Sequence, residues 1–132
     1  MAADGGHAAV RAGVPEDTPG LNLEQPDLTF VLGTASPSGL DMANAYATFA
    51  ASGTEATPTV VTRVIGPNDG LLYEHNPQTR AAFDPGVADT VSFALARVVS
   101  DGTGATARAL GRPAAGKTGT TDDFNDAWFT GF

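Results

Sequence analysis

Apolar residues recur at spacings of three and four positions between residues 39 and 51, which is the spacing of one helix face. The stripe consists of Leu40, Ala43, Ala47 and Ala50, flanked by Met42, Tyr46 and Phe49. Ser38 is a candidate N-cap, and Asp41 stands where it would complete a capping box. Gly53 is a typical C-terminal stop. The pattern predicts a helix over residues 39–51, with Tyr46 and Phe49 in the core.

A second apolar stripe indicates a helix that begins at Asp84-Pro85 and ends at Asp101-Gly-Thr-Gly104. Proline is favoured at the first helical position because its missing N–H would have no partner there. The stripe consists of Val87, Val91, Ala94, Leu95 and Val98. Phe93 falls within the same helix and is predicted to lie in the core. A short helical piece is expected over residues 105–110.

The remaining segments are extended or loop-like. Residues 59–65 are rich in β-branched side chains, and turn formers at 66–70 separate them from 71–74, which predicts a hairpin. Gly116–Thr121 and Ala127–Phe132 are predicted to pair as antiparallel strands, with Asp122–Asp126 as the turn between them. Residues 1–27 are interpreted as a loop-rich opening with at most a stub of helix at Ala8–Ala12. Together these elements indicate an α+β fold.

Composition narrows the class of protein. The chain has 132 residues, about one domain, and a net charge of −8 with its seven basic side chains scattered. This argues against nucleic acid as a partner, because phosphate binding needs clustered Lys and Arg. The absence of cysteine excludes disulfides and thiolate metal sites. No apolar run approaches the ~18 residues of a membrane span, and the first ten residues lack signal-peptide order, so the chain as given is expected to be soluble.

Several polar residues have simple structural interpretations. Asp122, Asp123 and Asp126 lack the residue order of a calcium loop and are interpreted as turn formers. Ser36 and Ser38 have no neighbouring base, so their expected role is capping. We therefore predict no metal site and no nucleophile within this chain.

The segment Gly111–Thr118 matches the phosphate-loop pattern G-x-x-x-x-G-K-[ST]. A phosphate loop follows a buried strand and leads into a helix that starts at the Lys-Thr pair. Here the preceding ATARAL is not a β-branched strand, and the following Gly119-Thr-Thr-Asp-Asp is a poor helix former. A nucleotide-binding module is therefore the unlikely alternative.

The same residues are chemically coherent as a strand. Alternation places Lys117 and Gly119 on one face and Thr118 and Thr120 on the other. A glycine without a side chain lets a ligand or another backbone approach closely. Threonine hydroxyls can hydrogen-bond a carboxylate, and an exposed strand edge offers N–H groups to a peptide or an oxyanion.

At these residues the chain resembles the C-terminal part of the transpeptidase domain of class A, bifunctional penicillin-binding proteins. The resemblance rests on AGKTGTT (115–121), NDAWF (125–129) with Gly131, ANAYATFA (43–50), and Gly102-Thr-Gly104 ahead of the K-T-G strand. It covers roughly residues 7–132. It implies a partial serine β-lactamase/DD-transpeptidase fold, truncated at both ends, with an antiparallel sheet flanked by helices.

The resemblance also implies an activity, which is acyl transfer on the D-Ala-D-Ala end of peptidoglycan stem peptides through a serine that β-lactams trap. No cofactor is implied. Lys117 would set the electrostatics of the site, Thr118 and Thr120 would hydrogen-bond the substrate carboxylate, and the Thr120 N–H would be an oxyanion donor. Gly119 would leave the strand without a side chain where it faces the nucleophile, and Trp128 is expected to be a packing residue.

Two motifs of this family are missing from the sequence. The only lysine is Lys117, and the residue three positions before it is Ala114, so the chain has no S-x-x-K. No asparagine has a serine two positions before it, so it has no S-x-N. We expect this chain to be an internal fragment of a larger enzyme and to be inactive alone. The missing N-terminal half of the domain is expected to be encoded upstream. The parent protein is expected to be membrane-anchored and extracytoplasmic. A non-catalytic peptide-binding remnant is the alternative.

Overall fold

The computed structural model describes residues 2–25, 28–121 and 126–132. The elements in chain order are α1 (Ala2–Ala12), a 3₁₀ helix (Leu28–Leu32), α2 (Gly39–Ala50), β1 (Thr54–Ala56), β2 (Arg63–Ile65), β3 (Leu71–Glu74), β4 (Thr79–Ala81), α3 (Pro85–Asp101), a second 3₁₀ helix (Ala105–Leu110), β5 (Gly116–Thr120) and β6 (Ala127–Gly131). The described strands form three two-stranded antiparallel sheets, which are β1 with β4, β2 with β3 and β5 with β6. The predicted α+β class is confirmed.

Helix α1 corrects the prediction for the start of the chain, because it is eleven residues long rather than a stub at Ala8–Ala12. Two adjacent glycines lower its intrinsic helix propensity. Contacts with the rest of the fold offset that cost. The guanidinium of Arg11 donates from Nε to the carbonyl of Ala82 at 2.9 Å and stacks 4.7 Å from the centre of the Phe83 ring.

Helix α2 begins at the predicted residue, ends one residue before the predicted end, and has both predicted end signals. The Asp41 N–H donates to Ser38 Oγ at 3.2 Å, and the Ser38 N–H donates to Asp41 Oδ2 at 3.1 Å. This reciprocal pair satisfies two backbone donors that the helix cannot satisfy itself. At the other end Gly53 adopts φ +89°, and its N–H donates to the carbonyl of Thr48 at 2.9 Å.

The predicted buried face of α2 is wrong. Leu40 is 59% exposed, and Ala43, Ala47 and Ala50 also face solvent. The buried residues are Ala45 and Thr48, with the flanking positions 42, 46 and 49 half-buried. The reason is the position of α1. The Thr48 hydroxyl donates to the carbonyl at the end of α1, and this contact selects the face that points inward.

Helix α3 begins at the predicted proline, with Asp84 as its N-cap. Its predicted stripe is only partly correct, because Ala88 and Val99 are the buried residues of this helix and Val87 is 54% exposed. Phe93 was predicted to be core, and this is also wrong, since 69% of it is exposed. Its position within a helical pattern did not indicate which side of the helix would be covered.

The predicted hairpin forms, although its first strand is shorter than residues 59–65. Strands β2 and β3 pair antiparallel across a turn that the Gly66 N–H closes by donating to the carbonyl of Gly70 at 2.8 Å. Strands β1 and β4 were not predicted. Each has three residues, and neither shows apolar alternation. Arg80 of β4 pairs with Glu55 of β1 at 3.0 Å, so their pairing depends partly on polar contacts.

The core cluster lies where α1, α2 and the segment after β4 meet. Ala12, Val14 and Ala45 are buried there, and Phe49 and Phe83 stack over them with ring centres 5.2 Å apart. Small side chains let the two helices approach closely. This cluster supports α2, and α2 in turn contacts β6 of the β5–β6 pair.

Candidate functional site

Strands β5 and β6 form an antiparallel ribbon that contains all four predicted site residues. In its register Lys117 pairs with Thr130, Thr118 with Phe129, Gly119 with Trp128, and Thr120 with Ala127. The predicted pairing of the two segments is confirmed. The turn predicted at Asp122–Asp126 falls largely on residues 122–125, which lie outside the described residues.

Glycine is required where the ribbon begins. A Cβ atom at Gly116 would lie 2.5 Å from the Phe129 ring and 2.5 Å from the carbonyl oxygen of Thr130. No side chain fits at those distances, so the two strands can approach this closely only with glycine at this position.

Alternate residues of β5 direct their backbone groups to its open edge. Ala115 and Phe132 exchange two hydrogen bonds of 2.8 Å, and the Thr121 N–H donates to Asp126 at 3.1 Å. In an antiparallel pair such exchanging residues alternate with residues whose N–H groups point away from the partner strand. The N–H groups of Thr118 and Thr120 therefore point to the other edge of β5, where no strand of the described chain pairs.

The ribbon borders two grooves. Lys117, Gly119 and Trp128 border a groove of about 420 Å³ that reaches to α2 and the segment before it. Thr118 and Phe129 border a groove of about 460 Å³ with Thr103 and the second 3₁₀ helix. Cross-strand partners share a face, but Thr118 borders both grooves and Thr120 borders the Lys117 groove as well.

The Lys117 ammonium lies at the open edge. Its Nζ donates to the carbonyl oxygen of Thr118 at 2.8 Å and lies 3.4 Å from the Thr118 hydroxyl oxygen. The long side chain therefore bends along the strand and brings a positive charge beside the Thr118 hydroxyl, although the two residues alternate in direction. The side chain is exposed, so a ligand can reach this charge.

Gly119 leaves the middle of β5 uncovered. A Cβ atom built at this position would meet nothing within 4 Å. Trp128, its partner on β6, is 61% exposed and lies near the start of α2, with its ring 3.7 Å from a Cβ atom built at Gly39. Trp128 therefore packs against the start of α2 and also forms part of the wall of the Lys117 groove.

Thr103 is a neighbour of the K-T-G strand that was not predicted from the sequence as a site residue. Its hydroxyl oxygen lies 2.7 Å from that of Thr118, and either oxygen can be the donor. In the sequence this threonine lies between two glycines, Gly102 and Gly104, and glycines often mark places where the backbone packs closely against a neighbour. It was interpreted only as the end of a helix and as part of the family resemblance.

Tyr46 borders the same groove as Lys117 and is a titratable group with a perturbed pKa. Burial disfavours the charged phenolate and raises the pKa of Tyr46 above its ordinary value of 10.0. Ser36 also borders this groove, and Ser38 caps α2 as predicted.

The phosphate-loop interpretation lacks its geometry. Lys117 and Thr118 lie inside strand β5, whereas a phosphate loop needs a helix that starts at these residues. Gly111, the first glycine of the pattern, caps the second 3₁₀ helix with φ 66°. The residues that match the pattern therefore form no N-terminal anion cradle.

Residues 4–132 match the family model described as the penicillin binding protein transpeptidase domain. The chain belongs to this family. Penicillin-binding protein 1A of Aquifex aeolicus is 38% identical over 113 residues, covering 86% of this chain and 16% of that protein. Penicillin-binding protein 1A of Mycolicibacterium smegmatis is 37% identical over 145 residues, covering 98% of this chain and 18% of that protein. The predicted resemblance to class A penicillin-binding proteins is confirmed.

Solved structures support the same assignment for this transpeptidase-family chain. The penicillin-binding protein PonA1 from Mycobacterium tuberculosis superposes with a TM-score of 0.77 at 31% identity, covering 96% of this chain and 36% of that one. A second PonA1 structure, a complex with penicillin V, superposes with a TM-score of 0.75. The partial DD-transpeptidase fold is therefore confirmed.

The transpeptidase-family chain spans only 16% and 18% of the two curated relatives. Within the described ranges, no helix combines the length and the apolar character that crossing a membrane requires.

Proposed function

We propose that β5 binds the carboxylate end of a peptidoglycan stem peptide, or of a β-lactam, in a DD-transpeptidase site. The observation that carries this proposal is the open edge of β5. There the N–H groups of Thr118 and Thr120 point away from β6, beside an exposed ammonium and a threonine hydroxyl.

The edge suits an extended peptide. A peptide that adds to a strand edge gains backbone hydrogen bonds, and nearby pockets select its side chains. The space where a Gly119 side chain would lie is empty within 4 Å, so a ligand backbone can lie directly on the strand. The Thr120 N–H is then an oxyanion donor for the carbonyl under attack, a role that preorganised backbone N–H groups fill well.

The charges also suit such a ligand. Lys117 supplies a cation and Thr118 a hydroxyl, 3.4 Å apart. Hydrogen bonds to a charged group are stronger than neutral ones, so these two groups fix the position of a terminal carboxylate. The PonA1 complex with penicillin V supports β-lactams as the ligand class for this family.

The acyl-accepting serine is proposed to come from outside these 132 residues, because the chain contains neither S-x-x-K nor S-x-N. In this proposal the chain alone binds the ligand weakly and forms no acyl-enzyme. The non-catalytic peptide-binding remnant would also bind, but its full gene product would never be acylated.

The test is an NMR titration of the ¹⁵N-labelled chain with N-acetyl-D-Ala-D-Ala and, in parallel, with its C-terminal amide. We expect the acid to shift the amide signals of Lys117–Thr120, and the amide form to bind about tenfold more weakly because it lacks the charge. Lys117→Ala and Thr118→Val should each weaken binding of the acid. Arg112→Ala, which removes a cation outside β5, should not. Equal binding of acid and amide, or no shift at β5, would reject the proposal.

Penicillin labelling then separates the enzyme from the remnant. The chain alone should carry no covalent label after denaturation, whereas the full product of its reading frame should carry one. In that product Lys117→Ala and Thr118→Val should each slow acylation by about 10²–10³, the usual cost of one positioned donor. A full product that binds the dipeptide but is never labelled would identify the remnant.

A further inference from the structure

Thr103 lies in a turn that the end of α3 holds tightly. The N–H groups of Gly102 and Gly104 both donate to the carbonyl of Val98, at 3.1 and 3.0 Å. A Cβ atom at Gly102 would lie 2.9 Å from that oxygen, and one at Gly104 would lie 3.2 Å from the Phe129 ring. The backbone on both sides of Thr103 is therefore fixed against α3 and β6.

This turn places the Thr103 hydroxyl against the Thr118 hydroxyl of β5, with the two oxygens 2.7 Å apart. Such a distance is that of a well-formed O–H···O hydrogen bond. The contact joins residues that are fifteen positions apart in the chain. This side-chain hydrogen bond links the Gly-Thr-Gly turn to the K-T-G strand.

The direction of this hydrogen bond decides what Thr118 can offer a ligand. A threonine hydroxyl has one proton and two lone pairs, and an ammonium can only donate. If Thr103 donates, the Thr118 oxygen accepts from Thr103 and from Lys117, and its own proton remains free. If Thr118 donates instead, its proton is used and it has nothing to give a carboxylate.

We infer that Thr103 is a positioning residue that directs the Thr118 hydroxyl proton toward the ligand carboxylate, an inference that rests on the proposed function of β5. When a carboxylate binds, it accepts a hydrogen bond from the Thr118 hydroxyl, because an ionised carboxylate is an acceptor only. Thr103 then donates to Thr118, and Lys117 supports the same polarity from the other side. Thr103 acts through Thr118 and does not itself contact the ligand.

The experiment extends the dipeptide titration to three variants of the chain. Thr103→Val keeps the shape and removes the hydroxyl, and Thr103→Ser restores it. Thr106→Val is the matched control, because Thr106 borders the same groove without a side-chain hydrogen bond to any described residue. We expect Thr103→Val to weaken binding of N-acetyl-D-Ala-D-Ala by about three- to tenfold, the effect of one hydrogen bond, and Thr103→Ser and Thr106→Val to stay within about twofold of the wild type.

Two further comparisons distinguish positioning from a structural role. Binding of the C-terminal amide should respond much less to Thr103→Val, because the amide has no negative charge to accept the Thr118 hydroxyl hydrogen bond and so does not require Thr103 to be the donor. In a Thr118→Val background, Thr103→Val should have no additional effect, since its partner is already gone. Equal losses for acid and amide, or full additivity with Thr118→Val, would overturn the inference.

The outcomes also separate this inference from the function on which it rests. If the wild-type chain shows no shifts at β5, the proposed function fails and the role of Thr103 fails with it. If the wild-type chain binds the acid selectively and Thr103→Val binds it equally well, only the role of Thr103 is rejected.

Discussion

Thr48 is a polar residue inside the core, with only 1% of its surface exposed. Its hydroxyl lies 2.8 Å from the carbonyl oxygen of Ala12 and 3.2 Å from that of Asn44. Thr48→Val keeps the volume and removes the donor to α1. Because a buried acceptor without its partner costs about 1–3 kcal/mol, we expect the free energy of unfolding to fall by about that amount. The fall would be measured as a lower urea midpoint. Thr90→Val is the control, since it removes a hydroxyl that bonds its own helix at an exposed site. Equal midpoints for Thr48→Val and the wild type would contradict this account.

Tyr46 makes the stability of the chain depend on pH in the alkaline range. Burial raises the folded-state pKa of Tyr46 above 10.0, so the unfolded state loses its proton first as pH rises. The contribution of protonated Tyr46 to the free energy of unfolding is therefore fully present below pH 10 and is lost as pH rises through the folded-state pKa. Urea unfolding at pH 9 to 11.5 should show a steeper loss of stability for the wild type than for Tyr46→Phe. Parallel curves for the two proteins would show that Tyr46 is not the cause.

For single residues, the sequence could suggest a candidate site but could not predict burial. Lys117 could be proposed as a site residue because it is the only lysine and belongs to a motif. Phe93 was misplaced because burial depends on which neighbour covers a helix, and that information lies elsewhere in the chain. Thr103 was missed for a related reason, because its partner Thr118 is fifteen positions away and only the folded turn brings them together.

Strands β5 and β6 contain two glycines with opposite structural roles. Gly116→Ala would place a Cβ atom 2.5 Å from the backbone of β6, whereas Gly119→Ala would place it in open space. We expect Gly116→Ala to destabilise the chain by about 1–3 kcal/mol, as overpacking does, and Gly119→Ala to leave its urea midpoint nearly unchanged. Circular dichroism during urea unfolding measures both. Comparable destabilisation by the two substitutions would reject the assigned packing.

Gly119→Ala should nevertheless weaken dipeptide binding, because its methyl group would occupy the face on which the ligand is proposed to lie. The same NMR titration measures this effect. Undiminished binding by Gly119→Ala would place the ligand elsewhere on the ribbon.

Elements with local signals were predictable, and elements that depend on tertiary contacts were not. Helices α2 and α3 begin at an N-cap, and a glycine follows the last residue of each within three positions, so both signals are readable locally. Helix α1 contains two glycines, and its end is held by contacts of Arg11 with Ala82, 71 positions away, and with the adjacent Phe83. Strands β1 and β4 are three residues long, too short for an alternating pattern to be recognised.

At the scale of the whole molecule, the described fold exposes more surface than its mass requires. Its accessible surface is 8968 Å², whereas a compact chain of this mass would expose about 6,500 Å². The excess of about 2,500 Å² is larger than the ~800 Å² that one partner contributes to a standard interface. Much of it is apolar, including Val60 at 93%, Leu72 at 69% and Phe93 at 69% exposed.

This surface should make the isolated chain associate with itself. Exposed large apolar side chains promote association where they come together, and unpaired strand edges such as those of the β2–β3 hairpin add to the tendency. We expect sedimentation velocity to show a weight-average mass that rises with concentration. Leu72→Glu and Phe93→Glu together should reduce that rise, because each replaces an exposed apolar side chain with a charge. The matched control adds the same charge at two polar, exposed positions, Gln78→Glu and Thr59→Glu, and should leave association largely intact. A wild-type chain that stays monomeric across the concentration range would show that the excess surface is not adhesive. Equal effects of the two double variants would assign association to net charge rather than to the exposed apolar side chains.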